Sequence, residues 1–324
     1  MRILFITANR LGDAILSTGL IQETLRLRPD ARFTIVCGPA AAGIFAALPG
    51  LDRIIVMEKK PWAGHWWELW KQVALTRWSL IVDLRGSIIG QFLLARRRRV
   101  FHGSGRNHHK VIALSNLLRF KQPAAPHVWT GDSHVQAARG LWPEDGRPVL
   151  GLGPTANWGG KIWPGARFAE LAQRLTAAGG ILPEARIVVF GGPGETALAA
   201  PTLDALRQCG IGEDRIVDLV GRCDLLTLAA AMRRCSLYIG NDSGLMHLAA
   251  ATGIPVLGLF GPSRAEIYGP WGEKTASVRT ELSYDEIVRL PDYDHRRHDS
   301  QMLTLSVDKA QRAAEQLWRL AQDE

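Results

Sequence analysis

The run from Cys235 to Gly261 constrains this chain most, because two apolar segments there enclose a small polar turn and a short apolar helix. Cys235-Ser236-Leu237-Tyr238-Ile239 leads into Gly240-Asn241-Asp242-Ser243-Gly244-Leu245-Met246-His247. Leu248-Ala249-Ala250-Ala251 follows, then a Gly253-Ile254-Pro255 break and a second apolar run, Val256-Leu257-Gly258-Leu259-Phe260-Gly261. Strands so continuously apolar are covered on both faces, so the segment reads as one βαβ unit of a buried parallel sheet. Its turn then falls at the carboxyl edge, where open α/β sheets bind ligands. Asp242 and Ser243 suit a helix N-cap, and Gly244 lets the backbone approach a bound group closely. Such a helix start favours phosphate. His247, one turn further on, lies on the same side as Ser243 and Gly244. Taken alone, such a segment is more often an ordinary capped helix.

The same alternation recurs along the chain. Strands are expected at 2–7, 32–37, 53–57, 80–83 and 98–102, with helical stretches between them, the first running from Asp13 to about Leu27 on an apolar face of Leu16, Leu20 and Leu27. The pattern lapses at Gln122-Pro123-Ala124-Ala125-Pro126, which reads as a linker. A second series follows, with strands near 149–152, 186–190, 215–219, 237–240 and 256–260. An amphipathic helix at 307–321 carries Ala310, Ala314, Leu317 and Leu320 on one side. A chain of 324 residues fits two domains of about 150 each. The expected fold is α/β, with two successive Rossmann-like domains, 1–130 and 131–324. No solenoid-length repeat is present.

Four scattered cysteines, Cys37, Cys209, Cys223 and Cys235, form no C-x-x-C pair and predict neither zinc nor a disulfide framework; a reducing cytoplasm fits them. The apolar start, Met1 to Ile6, is too short for a secretion signal, and no run approaches the roughly 20 apolar residues of a membrane span. The net charge of +8, from 39 Lys+Arg against 31 Asp+Glu, points to an anionic partner. Arg96–Arg99 has no interleaved aromatic platform, so it reads as a solvated edge rather than a nucleic-acid site. His108-His109 and His295-Arg296-Arg297-His298 lack carboxylate or cysteine company at ligand spacing, so no metal site is expected.

Several loops carry candidate chemistry. Gly151 to Pro164 leaves a strand and enters a helix at about Pro164, and its Thr155, Asn157 and Lys161 supply the hydroxyl, amide and cation that phosphate needs, without the P-loop pattern. Gly192-Pro193-Gly194-Glu195-Thr196-Ala197 meets a loose G-x-G-x-x-A form with Asp218 downstream, which by itself would point to NAD and an oxidoreductase. It follows the second strand of its domain instead of the first, so Glu195 reads as a ribose-hydroxyl acceptor or an ordinary helix-start acid. Asn9-Arg10-Leu11-Gly12-Asp13 puts one carboxylate after the first strand, as a general base or as an N-cap. Trp62, Trp66 and Trp70 recur at helical spacing, with Trp67, Lys59, Lys60 and Lys71 close by. This stripe fits a core face or a helix resting at a membrane or on an amphiphilic substrate equally well.

Over almost its whole length the chain resembles the family 9 glycosyltransferases, the bacterial heptosyltransferase family. The resemblance rests on R-L-G-D-A-I-L-S-T near the start, on T-A-N-W-G-G-K-I-W-P, and on the long G-N-D-S-G-L-M-H-L-A-A-A-T-G-I-P-V-L-G-L-F-G-P. It implies a GT-B fold, two Rossmann-like domains facing across a cleft, with acceptor on the first and nucleotide sugar on the second. In such folds the last helix, here 307–321, often crosses back to the first domain. The resemblance puts the catalytic base on Asp13. It also puts the donor phosphates on Thr155 and Lys161, the nucleoside on Glu195, and the nucleotide sugar on Asp242, Ser243, Gly244 and His247. Gly12, Lys59 and Lys60 become acceptor-side candidates.

The implied reaction is inverting, metal-independent transfer of a sugar, heptose from ADP-heptose, onto an anionic lipopolysaccharide inner-core acceptor. It needs no cofactor, and it takes place in the cytoplasm or peripherally at the inner face of the membrane. A nucleotide-sugar epimerase or hydrolase on the same fold, or a non-catalytic sugar-nucleotide-binding protein, is the alternative. The segment 282–301 matches no motif.

Overall fold

The structure, a computed structural model, describes residues 1–103, 108–290, 293–294 and 299–322. The His295–His298 cluster and Pro291 lie outside the described residues. The chain forms two compact units, Met1–Gly131 and Asp132–Glu324.

The first unit runs β1 (Arg2–Ile6), α1 (Leu11–Leu27), β2 (Arg32–Cys37), α2 (Pro39–Ala42), β3 (Leu51–Val56), α3 (Gly64–Val73), β4 (Leu80–Asp83), β5 (Arg98–Val100) and α4 (Lys110–Leu118). Its sheet is parallel throughout, in the order β3-β2-β1-β4-β5. The central strand β1 is apolar and buried at every residue after Arg2, as a strand covered on both faces must be. The 122–126 segment is not a loose linker. It lies on α1, where a side chain on Gly19 would come within 2.0 Å of the Ala124 carbonyl oxygen. Thr18 Oγ1 accepts the His127 N–H at 2.9 Å, and Trp129 Nε1 donates to Gln22 at 3.0 Å, so the unit continues to its end as packed chain.

The second unit runs α5 (Asp132–Arg139), β6 (Val149–Gly153), α6 (Gly165–Thr176), β7 (Arg186–Val189), α7 (Thr196–Gln208), β8 (Ile216–Asp218), α8 (Leu225–Met232) and β9 (Leu237–Asn241). It continues through α9 (Gly244–Ala250), β10 (Val256–Phe260), α10 (Ala265–Tyr268), β11 (Thr275–Arg279), α11 (Tyr284–Ile287) and α12 (Val307–Gln322). The sheet order is β11-β10-β9-β6-β7-β8, again all parallel. The helix at the end of the chain, α12, packs on α6, β10 and β11 of its own unit, and its Val307, Ala310, Ala314 and Leu317 join that unit's core. Leu320 is exposed.

Each sheet is doubly wound. Strands add outward in one direction, then the chain returns to the far side of its first strand, so the switch points lie between β1 and β4 and between β6 and β9. Loops after adjacent strands part there and leave a crevice at the carboxyl edge. At the second switch point the buried Tyr238 side chain fills the space that Gly153 and Gly240 leave open. A Cβ on Gly153 would stand 1.9 Å from the Tyr238 hydroxyl oxygen.

Candidate active site

The second switch point collects most of the candidate donor residues. β6 and β9 pair with Gly153 opposite Gly240, so the loops that follow them start side by side. Lys161 comes from the first loop and Asp242 from the second. Lys161 Nζ donates to Asp242 Oδ2 at 2.5 Å, with the carboxylate side chain 8% exposed and the lysine 23%. Ser243 occupies the N-cap position of α9 but makes no capping bond, and its hydroxyl has no partner among the described residues although it is buried. The sequence reading of Asp242 and Ser243 as caps holds for Ser243 by position, without a side-chain capping bond, and not for Asp242: Asp242 holds the lysine, and Ser243 keeps its hydroxyl unspent. Gly244 opens α9, and His247 is buried one turn later, its N–H reaching the Ser243 carbonyl at 3.4 Å.

Thr155 and Glu195 also come together, with each other. Thr155 Oγ1 donates to Glu195 Oε2 at 2.7 Å, and the Gly192 N–H donates to the same oxygen at 2.7 Å. Glu195 precedes α7 without capping it by its side chain. Its carboxylate is thus fixed by the chain with Oε1 still able to accept, as a ribose diol requires. Asp218, which a dinucleotide reading needs for the ribose, is turned locally instead, accepting from the Val220 N–H at 3.0 Å and Arg222 at 3.1 Å.

Asn241 is the hinge pin of this arrangement. It is fully buried at the end of β9, its Nδ2 donates to the Pro154 carbonyl at 2.8 Å, and its Oδ1 accepts the Trp163 N–H at 3.1 Å. One side chain therefore holds both ends of the Lys161 loop. The 299–305 segment holds the same loop from the other side. The Gln301 N–H bonds the Gly160 carbonyl at 2.9 Å, Ser300 Oγ the Ile162 carbonyl at 2.6 Å, and Trp163 Nε1 the Leu305 carbonyl at 2.9 Å. Asn241→Ala leaves a buried carbonyl and a buried N–H unpaired, so it is expected to destabilise the protein by on the order of 2–4 kcal/mol. Urea unfolding of the purified variant measures that loss.

In the first unit, Asp13 is the third residue of α1, after the first switch-point strand. It is half-buried in the first turn of the helix, and its carboxylate has no partner among the described residues. Arg10, not Asp13, holds the N-cap position, which removes the capping explanation for this aspartate. Gly12 is half-buried beside it. A second acid at this edge, Asp83 at the end of β4, is committed to its own loop, accepting from the Arg85 and Ser87 backbone N–H groups at 2.8 and 2.9 Å and from the Ser87 hydroxyl. Lys59 and Lys60 are exposed after β3, and Lys60 is paired with Glu68 at 2.6 Å. His109 serves as the cap of α4, its Nδ1 accepting the Val111 N–H. Among the described residues no three His, Cys, Asp or Glu side chains stand together as a metal site would need.

The profile of glycosyltransferase family 9 (heptosyltransferase) matches residues 127–297, more than half of the chain. The chain belongs to glycosyltransferase family 9. Lipooligosaccharide heptosyltransferase 2 of Haemophilus influenzae is 32% identical over 147 residues, 44% of this chain and 39% of that protein. Lipooligosaccharide heptosyltransferase 2 of Campylobacter jejuni is 24% identical over 298 residues, 86% of each chain. The solved structure of the Escherichia coli ADP-heptose lipopolysaccharide heptosyltransferase II superposes with a TM-score of 0.74 at 20% identity, covering 100% of this chain and 99% of that one. The α/β fold with two parallel sheets expected from the sequence is the fold of that protein.

For a family 9 glycosyltransferase the most informative residues that sequence reading passed over are Asn241 and the 300–305 segment. Asn241 lies inside the quoted motif, where its neighbours drew the attention; an apolar strand ending in a lone amide was the available signal. The 300–305 contacts run through a backbone N–H, main-chain carbonyls, a serine hydroxyl and the Trp163 indole, which leave no pattern in a sequence.

Proposed function

We propose that this family 9 glycosyltransferase is an inverting, metal-independent heptosyltransferase that takes ADP-heptose as donor and a lipopolysaccharide inner-core sugar as acceptor. Transfer requires the acceptor hydroxyl oxygen to attack the anomeric carbon as the bond from that carbon to the diphosphate breaks. The hydroxyl proton passes to the Asp13 carboxylate, and the electron pair of the broken bond leaves with ADP. Attack opposite the leaving group inverts the anomeric centre. An oxocarbenium-like transition state places growing negative charge on the diphosphate oxygens.

The observation that carries this reading is the Lys161–Asp242 pair at the β6/β9 switch point. A partly open lysine, oriented by a buried carboxylate, is preorganised to meet that growing charge without a metal ion. The unspent Ser243 hydroxyl is a donor for a phosphate or sugar oxygen, and Glu195 is an acceptor for the ribose. Thr155, whose hydroxyl is engaged with Glu195, acts through that carboxylate rather than on the phosphates. His247 lines the donor site from α9. Gly12, Lys59 and Lys60 serve the acceptor, whose phosphate and carboxylate groups suit a chain of net charge +8. The adenine and heptose assignments rest on what the relatives are named for.

Thermal unfolding in the presence of ADP, UDP, GDP, CDP and NAD in turn tests the donor. ADP at a hundred times its dissociation constant is expected to stabilise the native state by about 2.7 kcal/mol, with no comparable effect from the others. A response to UDP or GDP instead keeps the transferase and changes its donor. A response to NAD alone contradicts the proposal.

A further inference from the structure

The tryptophan stripe divides in the structure. Trp66 and Trp70 are half-buried on the first unit's core beside Ile89 and Leu93, whereas Trp62 is fully exposed and Trp67 is 57% exposed. Trp62 is not on α3 at all. It sits in the 3-10 turn Pro61–Ala63 before it, and both Trp62 (φ 53°) and Ala63 (φ 57°) take left-handed backbone that non-glycine residues adopt only at a cost. The chain accepts that strain and places a whole indole in water.

Five residues on, at the start of α3, a second exposed indole is held in place. Trp67 stacks on Trp70 at 5.0 Å and 7°, and Trp70 Nε1 donates to the Phe92 carbonyl at 3.3 Å, which joins α3 to the turn after β4. From that turn Ile88, Phe92 and Leu94 project outward, 73%, 67% and 58% exposed. Arg98 makes the projection rigid. Expected as part of a solvated edge, it is half-buried instead and ties down the Gly90, Leu93 and Ala95 carbonyls at 2.7, 2.5 and 3.2 Å. Cations accompany the apolar groups: Lys71 lies 5.4 Å over Trp67, Arg85 lies 4.9 Å over Trp66, and Arg96 and Arg97 are exposed beyond Leu94. The nearby acids are Glu58, exposed, and Glu68, which is neutralised by Lys60.

We propose that this rim of the first unit, the 61–67 turn and helix start together with the 88–94 turn, docks on a bilayer of anionic phospholipid. Indoles and aliphatic side chains ringed by lysine and arginine match an interface that has an apolar interior beneath negative headgroups. Charge complementarity selects this occupant. A second copy of a chain carrying +8 would bring like charge against like charge, and a sugar alone gives Ile88 and Leu94 nothing apolar to meet. Among the described residues no helix is long and apolar enough to cross a membrane, so attachment of this kind is peripheral.

The test is cosedimentation of the full chain with vesicles of phosphatidylglycerol and phosphatidylethanolamine, and with vesicles of phosphatidylcholine alone. Neither nucleotide nor acceptor is present, so its outcome is separate from that of the donor assignment. Binding to the anionic vesicles at low salt, weakened by 0.5 M salt and accompanied by a blue shift of tryptophan emission, is expected. Trp62→Asn with Phe92→Ser should lower vesicle affinity by at least about tenfold, since burying one such side chain is worth that much, at unchanged thermal midpoint. Arg96→Glu with Arg97→Glu should remove the salt dependence. Failure of the wild type to bind, equal binding to phosphatidylcholine, or indifference to the apolar pair would overturn the proposal. So would binding that appears only when lipopolysaccharide is added to the vesicles, or a self-association that the apolar pair abolishes.

Discussion

Asp13→Asn is expected to lower kcat by about 10²- to 10⁴-fold, the usual range for loss of a general base, and to leave ADP affinity unchanged. The aspartate lies in the first turn of α1 and has no partner among the described residues, so the substitution breaks no bond that holds the fold. Asparagine keeps the shape and removes the capacity to take a proton, together with a negative charge in the first turn of α1 that is worth about 0.3–1 kcal/mol. Steady-state turnover together with calorimetric titration of ADP reads both quantities. A variant that turns over within a few-fold of the wild type would show that the proton goes elsewhere, and an equal loss of ADP affinity would show that Asp13 acts on the donor.

Lys161→Met should cost turnover about 10²- to 10³-fold, as removal of one preorganised charge-stabilising donor does. It should also lower stability, because Asp242 is left buried and unpaired. The cost is on the order of 2 kcal/mol, below that of a fully buried pair because the lysine side chain is 23% exposed. The two effects separate in the double variant Lys161→Met with Asp242→Asn. Stability is expected to recover once the orphaned charge is gone, and turnover is not. Denaturant unfolding and kcat measured on the wild type, each single variant, Lys161→Met and Asp242→Asn, and the double variant decide this. Full recovery of turnover in the double variant would mean that the pair is structural only.

The sheets were the most legible part of the chain. β1, β2, β4, β9 and β10 are apolar runs bounded by turn residues, and buried parallel strands have to look like that. β11, Thr275–Arg279, was missed because it is an edge strand, mostly half-buried, and its Thr-Ala-Ser-Val-Arg sequence carries one strongly apolar residue. Pro164, a first-turn residue by its sequence context, stands at the N-cap position of α6 instead, a one-residue difference that leaves its role intact. The helical spacing of Trp62, Trp66 and Trp70 does not extend the helix to Trp62, since nothing in the sequence signals left-handed backbone at a tryptophan and an alanine.

At the site, the residue types were legible and their pairings were not. Lys161 and Asp242 were both marked for the donor, yet nothing in a sequence says that residues 81 apart form an ion pair; the doubly wound topology decides that by setting β9 beside β6. The same topology brings Thr155 to Glu195 by way of the neighbouring β7 loop, and so changes the part that the threonine plays. Asn241 and the 299–305 segment hold the loop through bonds that each have a main-chain group on at least one side, which every residue has and no motif records.

The most direct test is transfer itself. The purified chain is incubated with ADP-heptose and a lipopolysaccharide inner-core acceptor, ADP release is followed, and the anomeric configuration of the product is assigned by NMR. ADP release that depends on the acceptor, with the configuration of the transferred heptose inverted, is the predicted result. Consumption of the donor at the same rate without acceptor, or a product with retained configuration, would contradict it.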